Sequence, residues 1–164
     1  MSEPENADAV GRLCQSAARP DPRRADIRIY PFVVDIQGRY GDMDANGHMN
    51  NLAVESLHED VRARMNRMVL PGIYDAGKRQ FRLVSAQNVV HFLTESMWPG
   101  VFQAAVGVGR VGGSSFVASS AVFIEGRCIS TCDTVLVTLN DDGPRPIPEE
   151  ARVRLRDMML RVDE

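Results

Sequence analysis

Two aspartates one residue apart, Asp42 and Asp44, stand in the run Arg39-Tyr40-Gly41-Asp42-Met43-Asp44-Ala45-Asn46-Gly47-His48-Met49-Asn50-Asn51. A carboxylate on a loop can take a proton from water or attack a carbonyl carbon itself. The glycine turn at Gly47 is followed at once by a strongly helical segment. The first turn of a helix carries unsatisfied N–H donors and a partial positive charge. Such a terminus binds an anion or polarises a carbonyl oxygen. Together the two halves make a minimal site for chemistry at a carbonyl.

Two other readings compete for the same residues. Asp42-x-Asp44-x-Asn46-Gly47 matches the opening of a calcium-binding EF-hand loop. The twelfth position counted from Asp42 is Ala53, where a bidentate Glu is required, and the preceding segment is strand-like rather than helical. The aspartates and Asn46 also suit a tight turn held by side-chain-to-backbone bonds. The Gly-His-Met-Asn-Asn sequence and the helix behind it favour the catalytic reading.

The elements that must position these residues follow from periodicity. Ile27 to Gln37 is rich in β-branched and aromatic residues and reads as a strand, with Pro31 marking an edge or a bulge. Gly38 to Asn50 is a loop. Val54, Leu57, Val61, Met65 and Met68 then recur at steps of three and four, one apolar stripe of a long helix. Asn50 or Asn51 caps that helix and Pro71-Gly72 ends it. Phe81–Phe92, Val101–Val111, Ser115–Ile124 and Cys128–Leu139 read as strands separated by Trp98-Pro99-Gly100, Gly112-Gly113 and Glu125-Gly126. Pro148 opens a final helix over Glu149–Leu160. The class is α+β. One helix covers one face of a five-stranded sheet, so the other face or an edge is expected to meet a second copy.

Composition narrows the function. The 164 residues suit one domain with one core, and a net charge of −3 argues against nucleic-acid binding. No apolar run is long enough to cross a bilayer. Met1–Asp8 is acidic, with no apolar segment of a secretory signal. Residues 1–25 read as a flexible extension, a leader with a helix-compatible patch at Ala9–Ala18 and a linker from Arg19 to Arg24, without chemistry; residues 26–164 form the domain. Cys14, Cys128 and Cys132 form no CxxC pair, which fits a reduced, cytoplasmic protein and neither a zinc site nor a disulfide framework. Cys128 and Cys132, four apart in one strand, are expected on one face as packing residues. No metal and no cofactor is expected.

The Arg39–Asp44 run, Gly47-His48-Met49-Asn50-Asn51, Glu59 and Arg62, the hairpin Val111-Gly112-Gly113-Ser114-Ser115-Phe116, and Thr134–Val137 followed by Pro144–Pro148 together resemble the hotdog-fold acyl-CoA thioesterases of the 4-hydroxybenzoyl-CoA thioesterase type. The resemblance runs from about Ile27 to the C-terminus. It implies an antiparallel sheet wrapped around a long central helix. It implies hydrolysis of an acyl-CoA, with Asp44 as nucleophile or general base and the backbone N–H at Asn51 polarising the carbonyl. It further implies substrate contacts from His48, Asn50, Glu59, Ser114 and Ser115, and a site shared within a homodimer or homotetramer. His48 also suits a structural loop histidine, Glu59 and Arg62 a salt bridge on one helix face, and Asp42 a loop-shaping role. His58 reads as a helix-surface residue and His91 as a strand residue. Met65, Met68 and Trp98 are candidates for an acyl pocket, although methionines at helical spacing are also ordinary core residues.

The chain departs from the family where Val54 stands in place of an aromatic residue in the first helical turn, and where Gly113 and Ser114 stand in place of a basic residue at the start of Ser-Ser-Phe. Arg110, or a basic residue of a partner subunit, is the candidate replacement. These departures motivate a rival function, an acyl-CoA-binding hotdog protein without turnover; a thioesterase acting on acyl-carrier protein is a third alternative.

Overall fold

The computed structural model describes residues 18–162, and in it one antiparallel sheet curls around one long helix. The strands are β1 (Phe32–Gln37), β2 (Arg82–Phe92), β3 (Val101–Val111), β4 (Ser115–Ile124), β5 (Arg127–Asn140) and the short β6 (Gly143–Pro144). Their order is β1-β3-β4-β5-β2, with β6 beside β5. Helix α1 (Asn51–Val69) lies in the concavity and α2 (Glu149–Asp157) follows the last strand. This is the hotdog arrangement expected from the sequence. Register irregularities at Ser85/Gln87, Val108/Arg110 and Val122/Phe123 add the local twist that lets the sheet curl.

Beyond one-residue shifts at the ends of β2 and β5, the course of the chain differs from the sequence reading in three places. The first strand starts at Phe32 rather than Ile27, because Asp21 and Asp26 accept from Arg23 N and Arg28 N and close two 3-10 turns. The last helix stops at Asp157 rather than Leu160. Its tail turns away to exchange backbone bonds with Val108, whose N–H donates to Met158 O (2.7 Å) and whose carbonyl accepts from Leu160 N (3.0 Å). Gly107 permits this approach, since a Cβ there would stand 2.8 Å from Leu160 and from Pro31. The segment read as a linker is docked. Arg24 is buried on the outer face of the sheet, donating to Tyr30 Oη (2.9 Å), Asp133 Oδ1 (2.8 Å) and Ser120 O (3.0 Å). The patch Ala9–Ala18 lies outside the described residues except for Ala18, and the acidic leader and Cys14 lie wholly outside them.

The apolar ridge of α1 is Val54, Leu57, Val61, Met65 and Val69. Met68, expected on this stripe, is half exposed, because Val69 takes the inward place at the last turn. Cys128 and Cys132 do not share a face. The irregularity in β5 turns Cys128 outward against Tyr30 and Phe123, while Cys132 faces α1. Burial pushes both thiols up.

His58 is not on the helix surface; it is 1% exposed. It begins a polar ridge, His58, Arg62 and Asn66, at steps of four beside the apolar one. Ser130 Oγ gives its proton to His91 O (2.9 Å), so it accepts from His58 Nε2–H (2.9 Å). Nδ1 is then the acceptor for Ser120 Oγ at 2.8 Å. Protonation would set a second N–H against that hydroxyl. Burial, and then the charges of Arg24 and Arg62, push the imidazole down to about 3 from an ordinary 6.5. Below pH 6.5 the unfolded chain therefore binds a proton that the folded chain refuses, and stability falls as pH drops toward 3. Urea unfolding across this range should show that slope in the wild type and a flatter one in His58→Gln.

Candidate active site

β1 ends where Gly38 N donates to Gly100 O (3.0 Å), and a Cβ at Gly38 would stand 2.7 Å from the Phe102 ring. The chain then makes a 3-10 turn over Tyr40–Asp42. Asp42 accepts from Arg39 N (3.0 Å) and from the Arg39 guanidinium (2.8 Å), which holds its carboxyl below the usual range. That engagement gives Asp42 a loop-shaping role and removes it from any calcium loop.

Asp44 sits in a small ladder. Met43 and Met49 pair as an antiparallel bridge, Asp44 N donates to His48 O (2.8 Å), and Asn50 N donates to Asp42 O (2.8 Å). Gly47 closes the turn at φ +79°, with its N–H on Asp44 O (3.1 Å). Positive φ suits glycine because it lacks a Cβ. One carboxylate oxygen of Asp44, Oδ1, accepts from Asn46 N (2.8 Å) and His48 N (3.1 Å). The other, Oδ2, takes no donor among the described residues. Asp44 is thus both the staple of its turn and the bearer of an unengaged carboxylate oxygen.

The ladder delivers the chain into α1. Asn50 is the N-cap; its Oδ1 accepts from Leu52 N (2.9 Å) and its carbonyl from Val54 N (3.0 Å). The N–H groups of Asn51 and Ala53 have no acceptor among the described residues. Beside them opens a cavity of about 410 Å³, with Met49, Val54, Phe92 and Ile129 as apolar wall and Asn51 and Glu95 as polar lining. Met49 N donates to Ser96 O (2.8 Å), tying the Asp44 loop to the β2–β3 connection. His48 places Nε2 3.5 Å from Glu95.

The structure therefore joins Asp44 and His48 in one turn, which the Asn50 cap leads directly into Asn51 and α1; of these four, Asn51 lines the cavity. Glu59 stands further along α1, paired with Arg62 as the i,i+3 spacing implied. Ser114 and Ser115 lie at the other end of the sheet. β3 begins opposite Gln37 and runs 11 residues to the hairpin, roughly 35 Å. Within one protomer they do not meet Asp44. Ser114 O accepts from Thr138 N (2.9 Å) and Ser115 O from Gly112 N (2.7 Å), closing the hairpin. Sequence reasoning missed two neighbours. Glu95 is invisible as a site residue because only the fold carries it to the loop. Arg152 of α2 donates to Gly113 O (2.7 Å), so a basic side chain does reach the hairpin, from 39 residues away. Met65 is core, and Trp98 packs edge-on against Tyr40 at the rim of the loop.

One antiparallel sheet curled around one long helix is the hotdog fold found in thioesterases. Residues 39–155 match the thioesterase-like superfamily, and the chain belongs to it, a thioester hydrolase by family. No curated protein matches the chain. Among solved structures it is similar to a "predicted thioesterase" from Bacillus stearothermophilus (25% identity, TM-score 0.72, covering 80% of this chain and 98% of that one). It is also similar to a thioesterase from Thermus thermophilus crystallised with coenzyme A and Zn (28%, 0.70, 77% and 98%). A 1,4-dihydroxy-2-naphthoyl-CoA thioesterase from Synechocystis shares the fold at 13% identity (0.67, 77% and 96%).

The two bonds accepted by Oδ1 give Asp44 a structural role in its turn. Asn at position 44 keeps an acceptor oxygen there, whereas Ala leaves two N–H groups open. Asp44→Asn should melt close to wild type, and Asp44→Ala should lose about 1–2 kcal/mol in chemical denaturation.

Proposed function

We propose that this protein hydrolyses an acyl-CoA thioester to a free acid and CoA, with Asp44 as the essential carboxylate. What supports the reading is that one carboxylate oxygen of Asp44 has no donor among the described residues, while, a few residues on, the N–H of Asn51, at the start of α1 and beside a cavity, has no acceptor among them. The thioester carbonyl oxygen accepts from Asn51 N–H, where negative charge develops as the carbonyl carbon becomes tetrahedral. Asp44 Oδ2 takes the proton of the attacking water, or attacks the carbon itself to give a mixed anhydride that water then opens. In either route the C–S bond breaks and the CoA thiolate leaves with the electron pair, to be protonated from solvent. The apolar wall of Met49, Val54, Phe92 and Ile129 receives the part of the acyl group next to the carbonyl. His48 and Asn50 act mainly through the backbone bonds and cap that hold this geometry.

A second copy of the chain completes the site in this reading. β2 is an edge strand of 11 residues, and an open edge is a template for another strand. Antiparallel two-fold pairing of β2 with its copy would set the hairpin end of one protomer beside the Asp44 end of the other, bringing a partner's hairpin serines within range. The family's breadth leaves the sensor and carrier-protein readings as outcomes of the same assay. Two buried thiols on opposite faces of the sheet accord with a cytoplasmic setting.

Hydrolysis of an acyl-CoA panel, aromatic and aliphatic, should be lost in Asp44→Asn with the protein still folded. Saturable binding with no thiol release from any ester would sink the proposal in favour of a sensor. Position 51 separates backbone from side chain. Proline suits the first position of a helix and removes only its N–H, and Asn50, at φ −60° and ψ 139°, already has the backbone that precedes proline. Asn51→Ala should stay near wild type, and Asn51→Pro should lose about 10²–10³ in kcat. Sedimentation equilibrium should give at least twice the 18.1 kDa of the chain.

A further inference from the structure

The edge strand β2 reads alike from its two ends. Ser85 pairs with Leu136 of β5 and Gln87 with Val135, so Ala86 is an extra residue, a bulge. The bulge reverses the alternation of faces. Before it, Phe81 and Leu83 pack inward against the core, and Ser85 Oγ lies 3.5 Å from Arg62 Nη2. After it, Asn88 and Val90 line the groove between α1 and β2, and Phe92 lines the cavity at Asn51. Counted outward from Ala86-Gln87, the inward residues are therefore Ser85 and Asn88, then Leu83 and Val90, then Phe81 and Phe92. The outward residues are Val84 and Val89, then Arg82 and His91.

Two copies of a strand paired about a two-fold axis run antiparallel, and opposed residues share a face. With the axis at Ala86-Gln87, phenylalanine meets phenylalanine, aliphatic meets aliphatic and polar meets polar. The basic residues Arg82 and His91 meet on the outer face, where water screens them. A slip of one residue sets every inward side chain against an outward one. A slip of two parts the bulges and the phenylalanine pair. Phe92 and Leu93, each 45% exposed, stand at the end of this edge for a copy to cover.

That register joins two unlike cavities. The cavity at Asn51 has one charged side chain in its lining, Glu95, and no cation. Phe81 lines a different cavity of about 300 Å³, between the end of α1 and α2, where Lys78, Arg79 and Arg154 stand against one acid, Glu150. Arg154 Nε is engaged by Val69 O and Lys78 by the exposed Asp75 (3.2 Å), while the Arg79 guanidinium has no partner among the described residues. Opposed Cβ atoms in a sheet lie about 4.5–5.5 Å apart, so Phe92 of one protomer meets the partner's Phe81. We propose that β2 pairs with its copy about Ala86-Gln87 and that the partner's Lys78 and the partner's Arg79 hold the phosphates of the CoA whose thioester lies at Asn51. This rests on the thioesterase reading of the Asp44 site. CoA carries a pyrophosphate and a 3′-phosphate, which Glu95 repels and which cations bind by charge-assisted bonds. The hairpin offers no cation at Gly113 or Ser114, and Arg152, which reaches it, is engaged by Gly113 O and Glu149.

The register is tested on the full chain by cross-linking. Val84→Cys with Val89→Cys should give a covalent dimer on a non-reducing gel, and neither single variant should. The phosphate site is tested by calorimetry with two thioethers that resist hydrolysis, S-decyl-CoA and S-decyl-pantetheine, which lacks the phosphates. Wild type should bind the CoA thioether about tenfold tighter or more, and Lys78→Gln with Arg79→Gln should cut that ratio to within about threefold. Co-expressing that double variant with Asp44→Asn decides which chain supplies the cations. The mixed dimer has one intact Asp44 facing one intact Lys78 and Arg79, so hydrolysis of decanoyl-CoA at the wild-type KM should return. No cross-link in the paired variant, equal binding of the two thioethers, no binding of either, or a ratio that survives the double variant overturns this inference; loss of hydrolysis in Asp44→Asn would still leave the Asp44 reading standing. A mixed dimer without a wild-type-KM component overturns the assignment to the partner. Absence of hydrolysis from a folded wild type overturns the Asp44 reading, and the cross-link and the thioether ratio still decide the register and the phosphate site.

Discussion

One helix must fill the concave face of one sheet, and most of the structure follows from that. α1 is met by β1, β3 and β4, and its apolar ridge is almost wholly buried. Near its start, Val54 and Leu57 pack with Phe102, Val122, Ile124 and Ile129. Near its end, Val69 and Leu70 pack with Ala151 and Leu155 of α2, and Arg154 Nε donates to Val69 O (2.8 Å). A helix clamped at both ends cannot slide or fray. Its first-turn N–H groups therefore stay fixed before any substrate arrives, which is what makes a helix terminus effective toward developing charge.

The polar ridge sets the rotation of the same helix. Apolar packing alone tolerates small rotations, since one methyl is replaced by another. His58 tolerates none, because its two ring nitrogens meet hydroxyls from two different strands, β4 and β5. Arg62 adds a third anchor on β5 through Thr134. Turning α1 by a fraction of a turn would leave these groups buried and unpaired, at a cost of about 1–3 kcal/mol each. The rotation fixed at His58 is the rotation that presents Asn51 N–H to the cavity, so a feature of the core bears directly on the site.

Local signals made much of this legible. The strands β3 and β4 match their expected limits, and the Asn50 cap and Gly47 turn follow from residue type. What stayed hidden was carried by long-range partners. His58 looked like a surface residue because the sequence places it beside charged neighbours; Ser120 and Ser130, which satisfy it, are 62 and 72 residues away. Arg24 looked like linker because two prolines precede it, while Asp133 lies 109 residues on. Met68 and Val69 are both apolar at the last helical turn, and periodicity alone does not choose between them. Cys128 and Cys132 changed faces because one irregular residue pair in β5 shifts the alternation. The available hint was the density of small hydroxyl residues in β4 and β5, which in a helix-facing strand means polar partners on the helix.

The same geometry explains why the site residues implied by family resemblance fall into two groups. Asp44, His48, Asn50 and Asn51 are close in sequence, so one loop and the helix start that follows it carry all four in a single protomer. Ser114 and Ser115 sit at the far end of β3 and β4, and no bending of a hydrogen-bonded sheet closes a gap of roughly 35 Å. If both groups serve one substrate, a second chain must supply one of them. β2 is the edge on which this can happen, because β1 lies at the opposite edge, away from the groove, whereas β2 forms one wall of it. A strand added to β2 would cover that wall and exclude water from Arg62 and Glu59.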